Sequence, residues 1–232
     1  MKRLVFAAVV FAFGVAAAIE VHAQQAQVTL QVGFTQQNTK TQAPAISAVS
    51  PVVAWLIPLD RSVPPALAAQ TYRMVQSNKQ FLPHILVVPI GSTIDFPNED
   101  PFFHNVFSLF NGKRFDLGLY QTHGSRTARF DREGVSYIFC NIHPEMGGII
   151  VSLGSPYFTS SATGKLTLQD VPAGNYILHV WSERATLESL RGAERRISLK
   201  EGTNDLGEIR LETVREQNHD HKNMFGEDYA HH

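Results

Sequence analysis

Apolar and polar residues alternate with a period of two along most of this chain, the signature of strands with one buried face. Residues 26–34 set Val28, Leu30, Val32 and Phe34 against polar neighbours. Residues 51–58 form an unbroken apolar run between two prolines, which predicts a strand buried on both faces. From residue 72 the pattern predicts short strands in quick succession: Met74–Ser77, Ile85–Val88, Thr93–Phe96, Asn105–Phe110, Arg114–Leu117, Ser125–Phe130, Val135–Cys140 and Gly148–Leu153. Turn residues punctuate them, at Pro89-Ile90-Gly91-Ser92, at Pro97 to Pro101 and at Asp131 to Gly134. No amphipathic helix of useful length is predicted in this block. A second texture follows, with strands at Gly164–Leu168, Tyr176–Trp181, Ala193–Leu199 and Leu206–Glu212 and a turn over Asp170 to Asn175. The fold class this implies is all-β, with antiparallel sandwiches rather than a helical core.

The ends depart from that pattern. Met1-Lys2-Arg3, the short apolar run Leu4 to Ala18 and the small residue Ala23 read as a secretory signal cut after residue 23, which places the mature protein in the periplasm or outside the cell. The apolar run is short for a membrane span, and no other segment offers one, so none is expected after cleavage. The tail from 213 is polar and carries His219, His221, His231 and His232, the composition of a solvated segment. A net charge of -1 gives no steering toward nucleic acid or anionic lipid.

Export makes one residue conspicuous. The chain has 1 Cys, Cys140, which cannot form an internal disulfide, and a leftover cysteine in an exported protein suggests a reactive or ligating thiol. His143 follows three residues later and Met146 three after that, while His104 lies upstream in Phe102-Phe103-His104-Asn105-Val106. One thiolate, two imidazoles and one thioether suit a metal that cycles between Cu(I) and Cu(II), and trigonal His2Cys with a weak axial Met is the type 1 copper ligand set. Two other readings use the same residues. Zinc could take Cys140, His104, His143 and Glu145, which leaves Met146 without a purpose. A Cys–His nucleophile pair would need an orienting Asp or Asn, and none stands out, so no enzymatic activity is expected.

Residues 81–153 resemble the cupredoxin family. The likeness rests on Val88-Pro89-Ile90-Gly91-Ser92-Thr93-Ile94-Asp95-Phe96-Pro97-Asn98, on His104-Asn105-Val106, and on Cys140, His143 and Met146 at amicyanin-like spacing. It implies one type 1 copper ion on His104, Cys140, His143 and Met146, single-electron transfer with an unidentified redox partner, and a second-shell role for Asn105 that ties the ligand loops together beside the thiolate. Residues 156–212 resemble a carboxypeptidase regulatory-like (transthyretin-like) sandwich, through Gly164-Lys165-Leu166-Thr167-Leu168-Gln169-Asp170-Val171-Pro172-Ala173-Gly174-Asn175-Tyr176. That stretch is short for such a sandwich. The missing strands are expected at 26–34 and 51–58, so that a cupredoxin unit (72–155) is inserted between the early part (24–71) and the late part (156–212) of a second sandwich. Together the two units resemble exported bacterial plastocyanin-like or methylamine-utilization proteins.

Strand alternation adds one expectation about the site's surroundings. If Cys140 and Ile138 point into the copper sandwich, Tyr137 and Phe139 point out, and the apolar outer face needs a cover, for which the second sandwich is the candidate. Pro101, Phe102, Pro144, Gly147 and Gly148 are expected to form an uncharged rim around His143. On that reading, Gly148→Glu slows electron transfer to a partner without touching the copper spectrum. The alternative to a carrier is a non-catalytic copper-binding or copper-delivery protein with the second sandwich as an interaction module.

Overall fold

The computed structural model describes residues 25–36, 51–64, 68–109 and 112–213. The export signal expected over 1–23, the loop residues 37–45 and the tail beyond 213 lie outside the described residues. Among the described residues the regular secondary structure is β-strand except for one short helix, and no helix is long and apolar enough to cross a membrane.

In chain order, the first strands are β1 (Gln25–Gln36) and β2 (Val52–Pro58). The middle of the chain holds β3 (Thr71–Arg73), β4 (Val75–Ser77), β5 (Gln80–Leu82), β6 (Ile85–Pro89), β7 (Thr93–Pro97), β8 (His104–Ser108), β9 (Phe115–Tyr120), β10 (Ser125–Arg129), β11 (Gly134–Phe139) and β12 (Gly147–Leu153). The last third holds β13 (Phe158–Ser161), β14 (Lys165–Pro172), β15 (Gly174–Trp181), helix α1 (Leu187–Ala193), β16 (Arg195–Leu199) and β17 (Gly202–Thr213).

The N-terminal strands find their partners at the other end of the chain. β1 lies between β14 and β17, antiparallel to the first and parallel to the second. β2 lies between β13 and β15, with β16 beyond β15. The middle strands pair among themselves, as β10-β7-β3, β6-β12-β11-β8-β9 and the hairpin β4-β5. The helix was not anticipated. Thr186 caps it, its side chain accepting the Ser189 N–H, and Glu188 sits in the first turn, where the helix dipole favours a negative charge.

Three apolar cores separate four sheet layers. Val28, Leu30, Val32, Leu56, Tyr176, Leu178 and Leu211 fill the space between the β14-β1-β17 sheet and the β13-β2-β15-β16 sheet. Ile94, Phe96, Val106, Phe130, Ile138, Cys140, Met146 and Ile150 fill the space between the β10-β7-β3 sheet and the five-stranded sheet. A third cluster joins the two inner layers: Val53, Ile149, Val151 and Leu153, with Trp55, Tyr137 and Trp181 packed against it. Alternate residues of one strand therefore serve different cores. Val52, Ala54 and Leu56 face one side of β2 while Val53 faces the other. On β12, Ile150 faces the Cys140 core while Ile149 and Val151 face the inter-layer seam. The two inner sheets are apolar on both faces, which is why 51–58 and 148–153 read as continuous apolar runs. Tyr137 packs in the seam while Ile138 lies in the Cys140 core, so the outer face of β11 is covered by the β2/β15 sheet.

At the edge of the seam His84 spans the two inner layers. Its Nε2 lies 2.9 Å from Glu183 Oε2, and its Nδ1 lies 3.2 Å from the Gly147 carbonyl. The Glu183 carboxylate raises the His84 pKa above its ordinary value. A raised folded-state value stabilises the fold fully below the unfolded value of about 6.5, and the contribution is lost as pH rises through the folded value. The melting temperature of the wild type should therefore fall more between pH 6 and pH 8.5 than that of Glu183→Gln. Equal falls in calorimetry would show that the pair contributes nothing.

Candidate metal centre

Three of the residues singled out by the sequence converge at one end of the β8/β11 pair. Phe139 pairs with Phe107 across the two strands, so the β8 start at His104 and the end of β11 leading into Cys140 lie together. Cys140 and His104 are fully buried. His143 follows on the loop between β11 and β12 and is half-buried. The loop is tied across its base, with the Cys140 N–H donating to the Met146 carbonyl at 3.4 Å and the Met146 N–H donating to the His143 carbonyl at 3.0 Å.

The donor atoms form a compact triangle. Cys140 Sγ lies 3.7 Å from His104 Nδ1 and 3.6 Å from His143 Nδ1, and the two Nδ1 atoms are 3.1 Å apart. A point equidistant from all three lies about 2.0 Å from each, which falls within the bond lengths of about 2.0–2.3 Å that a first-row metal such as zinc keeps from imidazole nitrogen and thiolate sulfur. The triangle thus has room for one ion in its plane. Met146 is fully buried and belongs to the same apolar cluster as Cys140.

Glu145 goes elsewhere. Its carboxylate is exposed and pairs with Lys79 Nζ at 3.8 Å, so the zinc set of Cys140, His104, His143 and Glu145 is not assembled. The donors that do converge are a thiol and two imidazoles, and the remaining buried candidate is a thioether. That is a set for a soft or borderline metal.

Electrostatics prepare the donors for a cation. Burial pushes the Cys140 thiol up, while hydrogen bonds from the backbone of Asn105, Ile142 and His143 act in the opposite direction. A thiolate held this deeply requires a positive partner, and a bound metal supplies one. Burial, together with repulsion from His104 and Lys79, holds the His143 pKa below its ordinary value. That favours the neutral imidazole a metal needs.

Asn105 bridges two segments. Its Oδ1 accepts the Asn141 N–H at 3.3 Å, and its Nδ2 donates to Asp116 Oδ1 at 2.7 Å. It therefore connects β8 to the residue that follows the cysteine.

Asp100 was missed from the sequence. Its Oδ2 lies 2.7 Å from His104 Nε2, and its carboxylate also accepts the N–H groups of Asn78 at 2.7 Å and Lys79 at 2.9 Å. A carboxylate on Nε2 fixes the ring with its proton there and leaves Nδ1 bare toward the triangle. The available signal was the four-residue spacing of Asp100 and His104. It read as turn chemistry because Asp100 sits in a Pro/Asn/Asp loop. The hairpin that grips it has Asn78 and Lys79 at φ 55 and φ 54, left-handed positions that aim consecutive amides the same way.

The expectation for Gly148 is corrected. It is buried in β12, not on a rim. A Cβ there would lie 2.9 Å from Phe81 Cβ and 3.4 Å from Met74 Sδ, so Gly148→Glu is a packing lesion. The other expected rim residues Pro101, Phe102 and Pro144 are exposed, and Phe103 and Ile142, next in sequence to Phe102 and His143, add exposed apolar surface. The Phe102 ring lies 5.5 Å from the His143 ring and 5.2 Å from the His104 ring.

No family model matches the chain, and no curated protein matches it; the resemblance of 156–212 to a regulatory-like sandwich gains no support there. Solved structures do match in part. A purple cupredoxin from Nitrosopumilus maritimus is 26% identical over 35% of this chain and 99% of its own, with a TM-score of 0.33. A copper-containing nitrite reductase from Thermus scotoductus SA-01 is 23% identical over 42% of this chain, with a TM-score of 0.35, and the match spans 25% of that enzyme's chain. A reduced amicyanin variant is 19% identical over 43% of this chain and 98% of its own, with a TM-score of 0.35.

Asp100→Ala should weaken metal binding about 10- to 100-fold, the range for loss of an outer partner of a ligand histidine. Competition titration with a chelator measures it. An affinity within a factor of two of wild type would show that Asp100 does not orient His104.

Proposed function

We propose that this protein is an exported type 1 copper protein that carries single electrons between periplasmic redox partners. The observation that carries the proposal is the triangle of Cys140 Sγ, His104 Nδ1 and His143 Nδ1, with Cys140 in the same buried core as Met146. In this reading His104, Cys140 and His143 hold one copper ion, Met146 is its weak axial ligand, and Asn105 and Asp100 orient the ligand groups. Bound copper supplies the one-electron couple. The chain supplies a scaffold that holds both imidazoles and the thiol in place, so little has to move when the oxidation state changes.

The role is that of a carrier and not an enzyme. In this reading the metal unit spans 72–155, and β1, β2 and β13 to β17 form a second sandwich that covers its outer face. His143 is the port. It is the least buried of the three converging residues, the Phe102 ring lies against it, and Phe103 and Ile142 add exposed apolar surface nearby in the sequence, of the kind that supports brief docking.

Adding Cu(II) to the purified mature protein should produce an intense thiolate-to-copper band near about 600 nm, or near about 450 nm for a distorted site. Cys140→Ser should abolish the band, whereas Met146→Leu should keep it and shift the reduction potential. A colourless protein that retains zinc instead would sink the proposal.

Phe103→Glu places a charge beside the port without touching a ligand. Electron self-exchange, read from NMR line broadening in mixtures of the two oxidation states, should slow at low salt and recover as salt screens the added charges. An unchanged rate would place the electron's exit elsewhere.

A further inference from the structure

The loop that carries Cys140, His143 and Met146 leaves the site through two consecutive glycines. Gly148 has no room for a side chain, because Phe81 Cβ and Met74 Sδ stand where one would go. Gly147 pairs with Phe139 at the first rung of the β11–β12 ladder. Glycines are the freest residues in the backbone, so the order of the exit immediately behind the buried thioether of Met146 rests on what neighbouring groups impose on it.

His84 adds a polar restraint to that exit. His84 Nδ1 lies 3.2 Å from the carbonyl of Gly147, while the His84 backbone carbonyl accepts the N–H of Ile149 at 2.8 Å. His84 thus grips the glycine pair from both sides. Its other ring nitrogen, Nε2, lies 2.9 Å from Glu183 Oε2. Glu183 belongs to neither sheet of the metal unit. It follows β15, in the segment leading to α1.

We propose that Glu183 and His84 are positioning residues for the metal loop, through which the second sandwich fixes the backbone behind Met146. The proposal rests on the reading of His104, Cys140, His143 and Met146 as copper ligands. Glu183 orients the imidazole, and the imidazole restrains the Gly147–Gly148 peptide. Both nitrogens of the ring are engaged, so it donates to a carbonyl on one side and a carboxylate on the other when protonated. The Glu183 carboxylate favours that form by raising the His84 pKa. The second sandwich is then part of the apparatus that sets the loop, in addition to being a cover.

The test uses the full mature chain and has a metal-free arm. Amide hydrogen exchange, followed peptide by peptide in the metal-free protein, should accelerate across 141–149 in Glu183→Ala and in His84→Ala, and remain at the wild-type rate in β14. Glu183→Gln keeps an acceptor for the ring and should stay close to wild type in exchange. In the copper-loaded protein, release to a Cu(I)-specific chelator should speed up about tenfold in Glu183→Ala, the low end for outer partners of a metal site. In a His84→Ala background, adding Glu183→Ala should change neither reading further. A lower melting temperature with unchanged exchange over 141–149 would overturn the proposal, as would acceleration spread evenly through the chain. A wild type without a Cys140-dependent band would refute the copper reading, and the metal-free arm would still decide the clamp.

Discussion

Burying an ionisable thiol between two imidazoles is unfavourable unless something positive joins them, and much of the surrounding structure answers that constraint. Cys140 is fully buried, and burial opposes its ionisation. Backbone N–H groups from Asn105, Ile142 and His143 recover part of the cost, but three lone-pair-bearing atoms within 3.7 Å of one another still face a common centre. Such an arrangement is held open by its supports. Asp100 takes the far nitrogen of His104, two turn amides take Asp100, and Asn105 ties the strand of one ligand to the loop of the others.

Much of this was legible in the sequence, for an identifiable reason. Period-two alternation is a local property, so β1, β7, β10, β11 and β15 were readable from their own residues. The convergence of Cys140, His143 and His104 was legible because a lone cysteine followed at short spacing by His and Met has few structural explanations. Asp100 and His84 were not, because their roles depend on partners brought up by the fold. Nothing local distinguishes a loop aspartate that meets Asn78 and Lys79 from one that meets water. The same holds for α1, whose seven residues are too few to show a helical stripe and whose signal is a single capping threonine. Gly148 failed in the other direction. Glycine beside a ligand loop reads as an open edge, and only the approach of Phe81 shows that it marks a crowded one.

The seam between the inner layers explains two features that looked unrelated. Val53 and Trp55 on β2, and Ile149 and Val151 on β12, face one another across it. Each of these strands also supplies residues to its own sandwich core, Leu56 in one case and Ile150 in the other. A strand committed on both faces has little freedom to slip, since a shift of one residue would exchange its two cores. The loop carrying Cys140, His143 and Met146 runs from Phe139 at the end of β11 to Gly147 at the start of β12, so one of its feet stands on such a strand.

The pairing of β1 with β17 has a bearing on how the chain assembles. Thr35 and Thr213 lie 178 positions apart and yet share a hydrogen bond, whereas every strand of the two sheets that enclose the Cys140 core lies between Thr71 and Leu153. Closing a long loop costs more entropy than closing a short one, and distant pairs form late. A chain that emerges from its N-terminus therefore holds β1 and β2 unpartnered while the central strands find each other. Contact order thus favours the pocket around Cys140 forming first, with its outer face bare, and the β1–β17 pairing closing around it last.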